Sequence, residues 1–139
     1  MHFIDSLESE RALRVGWRLG RSMPAHCTST GKALLSELPE AQVLRLFPEE
    51  ELPRLTANSI GTRTVLLREL AQIRRRGYAR SLEEAEEGVS SVAVPLHSTQ
   101  SPRLAINVSV PASRMTDVMQ QAVIGRLQKA AEELDHLLL

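Results

Sequence analysis

The sequence predicts an α+β domain, in which helices pack on an antiparallel sheet. Two patterns support this prediction. Apolar residues recur at helical spacing between Arg63 and Arg76, and they alternate with small or polar residues between Val92 and Val110. The chain has 139 residues, of which 42% are hydrophobic and 3% aromatic, so residues 1–139 are expected to form one domain with an aliphatic core.

The N-terminal part is predicted to form two short strands and a helix. Apolar residues indicate the strands at Phe3 and Ile4 and at residues 13–17, with a polar turn between them. The helix is expected to run through residues 32–35. Ser29 or Thr30 is its expected N-cap, because a hydroxyl there accepts a hydrogen bond from an otherwise unpaired backbone N–H.

A second helix is expected after Pro39, which suits a first helical turn because its missing N–H is not needed there. Val43, Leu44 and Phe47 would form the apolar face of this helix. Residues 48–61, which follow, are predicted to be a loop.

The helix Arg63–Arg76 has the clearest signals. Thr62 is its expected N-cap, and Gly77 is expected to end it in the left-handed conformation. The three arginines at positions 74–76 would lie where the helix dipole favours cations. Three aliphatic residues share one face and are expected to be buried: Leu66, Leu70 and Ile73.

After Gly77 the pattern becomes that of strands with one buried face. Val92 and Val94 indicate one strand, and residues 104–110 the next, with a loop at residues 97–103 and Pro111 at the end. A long helix from about residue 113 to residue 137 is expected to cover the sheet. Its apolar residues are Val118, Val123, Leu127, Ala130 and Leu134.

Composition excludes several classes of protein. Seventeen basic and seventeen acidic residues cancel, so the chain lacks the positive charge of an autonomous nucleic-acid binder. A single cysteine, Cys27, cannot form an internal disulfide, which fits a reducing cytoplasm. No apolar run approaches the roughly 20 residues of a membrane span, and the N-terminus does not begin a signal peptide. A soluble cytoplasmic protein without membrane contact is expected.

Two short runs between residues 26 and 32 invite a chemical role. The run Thr30-Gly31-Lys32 is not a phosphate loop, because His26 and Ala33 stand where that motif needs Gly and Ser or Thr. Lys32 is therefore expected to be solvated or salt-bridged. Neighbouring side chains of an extended segment point to opposite faces, so His26 and Cys27 are not expected to form a nucleophile and base.

Metal binding and catalysis are not expected. The histidines at positions 2, 26, 97 and 136 have no ligand spacing, and one cysteine cannot build a zinc site. The glutamates at positions 83, 84, 86 and 87 are expected to be solvated. We therefore expect no catalytic residue, no metal, no cofactor and no enzyme activity.

Small hydrogen-bonding residues recur in a pattern that permits a pocket. Ser29 and Thr30 precede a helix, whose N-terminal N–H groups favour an anion. Ser91 lies just before one expected strand, and Asn107 and Ser109 share one face of the next. If that face turns towards the helix, these residues line a small polar pocket; if it does not, they face water. Periodicity favours neither alternative.

Three phrases follow one another along the chain. The first is PAHCTSTGKALL at residues 24–35. The second is IRRRGY at 73–78, followed by EEAEEGV at 83–89 and VAVP at 92–95, and the third is LAINVSVP at 104–111. In order and spacing they resemble the effector-binding domain of IclR-family bacterial transcriptional regulators, from about Phe3 to the C-terminus. The resemblance implies a GAF-like fold, a curved antiparallel sheet with helices around a small-molecule pocket.

The resemblance also implies which residues contact an effector. When the family's contact positions are transferred to this chain, the matching residues are Ser29, Thr30, Ser81, Val89, Ser91, Asn107 and Ser109. Family effectors are often small organic or aromatic acids, and Arg80 or Arg103 is a candidate counter-charge for a carboxylate. Some relatives have an acidic residue at the position of Ser81 and a smaller one at Asn107, so the effector itself is not implied.

The family architecture implies what surrounds this domain. The chain is expected to be N-terminally incomplete, without the winged helix-turn-helix that would contact DNA, and to form a homodimer or tetramer. An effector would change the arrangement of subunits and so modulate DNA binding. Two alternatives are a pure oligomerisation module with a vestigial pocket and, less favoured, an enzyme that processes a small acid.

Overall fold

The computed structural model describes residues 1, 10–11, 22–97 and 103–138. Within them lie four α-helices, three strands and two 3-10 turns. In chain order these are the turn Ala25–Cys27, α1 Ser29–Ser36, α2 Glu40–Leu46, α3 Arg63–Arg76, β1 Ala79–Leu82, β2 Val89–Pro95, β3 Ala105–Pro111, the turn Ala112–Arg114 and α4 Asp117–Leu137. The predicted α+β class is confirmed. The strands expected at residues 3–4 and 13–17, and most of the loop expected at 97–103, lie outside the described residues.

The three described strands form an antiparallel sheet in the order β1-β2-β3. Its register aligns Ser81 of β1 with Ser91 of β2, and Ser91 with Ser109 of β3. A row of three serines therefore crosses the sheet on one face. Strand β1 was not predicted, because its four residues, Ala-Arg-Ser-Leu, show no distinctive alternation.

The sheet is covered on both faces, because successive residues of a strand point to opposite sides. On one face, Ala79 and Ala93 belong to a core cluster with residues of α1, α2 and α3. On the other face, Val92 and Val94 pack in a second cluster with α4. The face with small side chains is thus the one that meets α1.

Helix α3 has the predicted bounds, and its expected buried residues Leu66, Leu70 and Ile73 are in the core. The Thr62 hydroxyl accepts a hydrogen bond from Val65 N at 3.3 Å, and Gly77 has a φ of 83°. These predictions are confirmed. In α2, Val43 is buried as expected, whereas Leu44 is exposed and Pro39 is the N-cap residue, immediately before the first helical turn.

Helix α4 begins later than expected, because residues 112–114 form a 3-10 turn and the Thr116 hydroxyl caps the helix by accepting a bond from Met119 N. The prediction of which α4 residues are buried was also partly wrong. The buried residues of this helix are Gln120, Ile124, Leu127 and Ala131. Val118 is 82% exposed, since two residues of an α-helix span more than half a turn and Val118 is therefore opposite Gln120. Among the described residues, no helix combines the length and apolar character needed to cross a membrane.

Candidate functional site

A cavity lies between the N-terminal end of α1 and the small-residue face of the sheet. It encloses about 370 Å³ of space, its open mouth included. Its lining residues are Met23, Thr28, Ser29, Thr30, Ser81, Ala85, Glu86, Val89, Ser91, Asn107 and Ser109. All seven residues that the resemblance implied therefore lie around one cavity. Of the two alternatives left open by periodicity, the face with Asn107 and Ser109 turns towards α1.

The start of α1 differs from the expected one. The N-cap is Thr28, neither Ser29 nor Thr30, because Thr28 is the residue with extended backbone before the first turn. Its hydroxyl accepts a hydrogen bond from Gly31 N at 3.0 Å. Ser29 and Thr30 are the first two residues of the helix, so their hydroxyls are available for contacts towards the sheet.

Hydrogen bonds hold most of the polar lining in place. Ser29 Oγ lies 2.7 Å from Ser91 Oγ, which joins α1 to β2. Ser81 Oγ donates to the backbone oxygen of Cys27 at 3.1 Å. Asn107 Nδ2 donates to Ser109 Oγ at 3.0 Å along β3. These contacts fix the positions of the hydroxyl groups around the cavity.

Thr30 differs from these neighbours. The residue is 7% exposed, and its Oγ1 is buried without a hydrogen-bond partner in the part of the chain that the structure describes. A buried polar group usually has a partner, because leaving it unpaired costs about 1–3 kcal/mol. An unpaired hydroxyl that lines a cavity is a ready donor or acceptor for a molecule inside it.

The backbone at the start of α1 contributes to the electrostatics of the cavity. Its N-terminus carries the positive end of the helix dipole, which favours an anion. The expectation that Arg80 or Arg103 supplies a counter-charge is not supported, since neither lines the cavity. Arg80 directly precedes Ser81 on β1, so its side chain points to the opposite face. Glu86 contributes an acidic group to the lining.

Lys32 is salt-bridged, as one expectation allowed, but it is not solvated. Its side chain is 1% exposed, and Nζ lies 2.8 Å from Glu84 Oε1 and 3.6 Å from Glu69 Oε1. Glu84 is therefore also an exception to the expected solvated glutamates. In the described part of the chain, no three His, Cys, Asp or Glu residues are grouped as metal ligands would be.

His26 and Cys27 lie in a 3-10 turn, so the extended segment assumed for them is wrong. Both side chains approach the same acceptor, the backbone oxygen of Pro53, with His26 Nε2 at 2.7 Å and Cys27 Sγ at 4.0 Å. Burial raises the pKa of the Cys27 thiol, and the negative charge of Glu84 adds to the rise. The thiol is thus kept in its protonated, poorly nucleophilic form.

Four lining residues were not among the candidates: Met23, Thr28, Ala85 and Glu86. Thr28 carries a signal that was available, because Thr is also a favoured N-cap residue. The other three come from segments without regular structure, whose positions depend on tertiary contacts.

Comparison with known proteins identifies the family to which the chain belongs. Residues 1–136 match the family model for the C-terminal part of bacterial IclR transcriptional regulators. The chain is 34% identical to the HTH-type transcriptional regulator XynR of Escherichia coli K12, over 98% of this chain and 54% of XynR. It is also 33% identical in sequence to the chain in the crystal structure of Thermotoga maritima IclR. The TM-score between the two is 0.88, and the match covers 97% of this chain and 55% of that one.

A further similar structure is described with a small acid bound. It is the inducer-binding domain of the transcription factor PobR from Acinetobacter, a double mutant in complex with 3-hydroxybenzoic acid. The two chains are 35% identical with a TM-score of 0.78, over 86% of this chain and 69% of that one. The present chain spans about half the length of the curated relatives it matches. It belongs to the IclR family of bacterial transcriptional regulators and corresponds to their C-terminal domain.

Proposed function

We propose that this domain is an effector sensor that binds a small organic or aromatic acid in the cavity between α1 and the sheet. The observation that supports it most directly is the Thr30 hydroxyl, which is buried, unpaired and part of the lining. A carboxylate placed there accepts a hydrogen bond from this hydroxyl and from N–H groups at the start of α1. The remaining implied contacts would surround the rest of the molecule: Ser29, Ser81, Val89, Ser91, Asn107 and Ser109.

The alternative of an oligomerisation module with a vestigial pocket is less well supported. It would place the serines at positions 29, 91 and 109 in solvent or in a filled core. They line a cavity instead. The solved relative described as an inducer-binding domain, with an aromatic acid bound, also favours a ligand over an empty remnant. The matched relatives are named as regulators, which favours sensing over turnover.

We propose that effector binding is transmitted to the DNA-binding domains through a change in how the subunits are arranged. The domain would form a homodimer or tetramer in the cytoplasm, and a winged helix-turn-helix domain elsewhere in the full-length regulator would contact DNA. An effector changes such an equilibrium only if its affinity differs between two arrangements, typically by about 1–3 kcal/mol. The domain itself carries no net charge and would not bind DNA directly.

A thermal-shift screen tests the proposal. The probes are aliphatic and aromatic carboxylates, 3-hydroxybenzoate among them, each paired with its neutral amide. An acid at 100 times its Kd stabilises the fold by about 2.7 kcal/mol, which raises the Tm by several degrees. We expect at least one acid to do so, and its amide to be much weaker.

Matched variants locate the site. Thr30→Val removes the unpaired hydroxyl at constant shape. Thr64→Val is the control, because it makes the same substitution at an exposed threonine of α3, whose side chain hydrogen-bonds Glu50. The acid-induced shift should be lost in the first variant and kept in the second. Equal binding of acids and amides would contradict a carboxylate site, and the absence of any hit from a broad panel would contradict effector binding by this domain.

A further inference from the structure

Lys32 carries a buried ammonium group that the proposed effector contacts do not use. Besides the carboxylates of Glu84 and Glu69, its Nζ donates to the backbone oxygen of Arg80 at 2.6 Å. A charge removed from water is stable only where partners replace its hydration. These partners belong to α3, to β1 and to the segment after β1, so one cation joins three parts of the fold to α1.

The Lys32–Glu84 ion pair connects two walls of the cavity. Lys32 follows Ser29 by three residues and so shares its face of α1, and Ser29 is in the lining. Glu84 directly precedes Ala85 and Glu86, which line the cavity from the acidic loop, residues 83–88. The 2.8 Å contact between Lys32 Nζ and Glu84 Oε1 therefore joins the two elements that form these walls.

The acidic loop has a conformation that must be held in place. Glu83 has a φ of 56°, in the left-handed region that residues other than glycine rarely adopt. Glu84 uses its second carboxylate oxygen, Oε2, to accept a bond from Leu82 N at 3.0 Å. Gly88 N donates to Glu83 Oε1 at 2.8 Å. The Glu84 carboxylate thus links Lys32 directly to the backbone of the turn.

A second anchor holds the same turn from outside the cavity. The Thr56 hydroxyl donates to the backbone oxygen of Glu83, and the Ser59 hydroxyl to that of Glu84, both at 2.6 Å. Neither residue lines the cavity. Of the two anchors, Lys32 is the one that fixes the loop relative to the helix that forms the opposite wall.

We propose that Lys32 is a positioning residue of the cavity, which sets the spacing between α1 and the acidic loop through Glu84. An effector that touches Thr30 on one side and Ala85 on the other meets a gap that this ion pair defines. The importance of that gap for binding rests on the proposed function. The fixing of the loop does not, because it needs no ligand.

Amide hydrogen–deuterium exchange of the unliganded protein tests this proposal. Exchange reports local opening separately from global unfolding. Lys32→Met removes the ammonium group, and Glu84→Gln removes the carboxylate charge at constant volume. Glu69→Gln is the control for the loop, because it removes the more distant partner of Lys32, which belongs to α3; it also removes the 3.0 Å contact of Glu69 with Arg76 Nη2.

We expect Lys32→Met and Glu84→Gln to accelerate exchange at Gly88 and Val89 by about tenfold or more, the effect of losing a charge-assisted hydrogen bond. The α3 amides of Leu70 and Ile73 should keep their protection in both variants, and the loop amides of Glu69→Gln should exchange as in the wild type. If Lys32→Met does not fold, Glu84→Gln decides the matter.

Unchanged exchange in the loop would overturn the proposal, and so would equal acceleration in the loop and in α3, which would make Lys32 a residue of general stability. These outcomes are independent of the carboxylate screen. A loop that loosens as expected in a domain that binds no acid would refute the effector proposal and leave the positioning role intact.

Discussion

Ser29 Oγ and Ser91 Oγ lie 2.7 Å apart, although the two residues are 62 positions apart in the chain. Ser29 is 1% exposed and Ser91 is 8% exposed, so the bond forms away from solvent. It attaches the first turn of α1 to the middle of β2. Because Ser91 is aligned with Ser81 and Ser109, this contact also sets the position of α1 over the serine row.

Ser29→Ala and Ser91→Ala should each lower the free energy of unfolding by about 1–2 kcal/mol, because each leaves a buried hydroxyl without its partner. The double variant should lose less than the sum of the two, since no unpaired hydroxyl remains. Urea denaturation of the four proteins gives the coupling energy. Strict additivity would mean that the two hydroxyls do not interact in solution.

Thr30→Val should raise the free energy of unfolding of the unliganded domain by about 1 kcal/mol, since it replaces an unpaired buried hydroxyl with a methyl group. Thr30→Ser keeps the hydroxyl and serves as the comparison. Chemical denaturation measures both. A loss of stability in Thr30→Val well above 1 kcal/mol would indicate that the hydroxyl has a structural partner.

Gly31→Ala should destabilise the fold by about 1–3 kcal/mol, because the new Cβ would overlap the backbone oxygen of Ala25 and lie 2.5 Å from its Cα. Gly125 of α4 is the matched control, since a Cβ there meets nothing within 4 Å. Gly125→Ala should stabilise by about 0.5–1 kcal/mol through helix propensity. Thermal denaturation would contradict this account if both variants changed the Tm in the same direction.

Cys27 should make stability depend on pH in the alkaline range. Burial raises the pKa of its thiol in the folded protein, whereas the thiol of the unfolded chain ionises near pH 8.5. Between these two pKa values the folded state binds more protons, so the free energy of unfolding falls as pH rises. Its contribution is fully present below about pH 8.5 and is lost as pH rises through the folded pKa.

The Cys27→Ala variant isolates this effect. Its baseline stability will differ, but its curve of unfolding free energy against pH should decline less steeply above about pH 8.5. Denaturation series at matched ionic strength from pH 7 to 10 compare the two slopes. Parallel curves would mean that the thiol has the same pKa in both states.

The elements that could be predicted are those with complete local signals. Helix α3 has an N-cap at Thr62, a periodic apolar face and a left-handed Gly77, and all three agree with its observed bounds. Strands β2 and β3 could be placed because valine or isoleucine alternates with small or polar residues from Val92 to Val94 and from Ile106 to Val110. In these segments local preference and tertiary packing favour the same structure.

Other features depend on contacts between distant segments. Nothing local distinguishes β1, whose pairing with β2 places Ser81 beside Ser91. The burial of Lys32 requires Glu84, 52 positions away, and no pattern around Lys32 indicates that partner. Of the seven candidate site residues, five were also indicated by the helix start and the strand pattern, whereas Ser81 and Val89 came from the resemblance alone. The lining residues in irregular segments had no comparable signal.

The serine row has a consequence for how relatives of this domain could diverge in ligand length. Neighbouring strands are about 4.8 Å apart, so Ser81, Ser91 and Ser109 sample the cavity at regular steps. A bulkier residue at Ser81 shortens the cavity from one end, and one at Ser109 shortens it from the other. Substitutions on single strands could therefore change the length of an acceptable effector in steps of one strand spacing, while the backbone of the sheet stays the same.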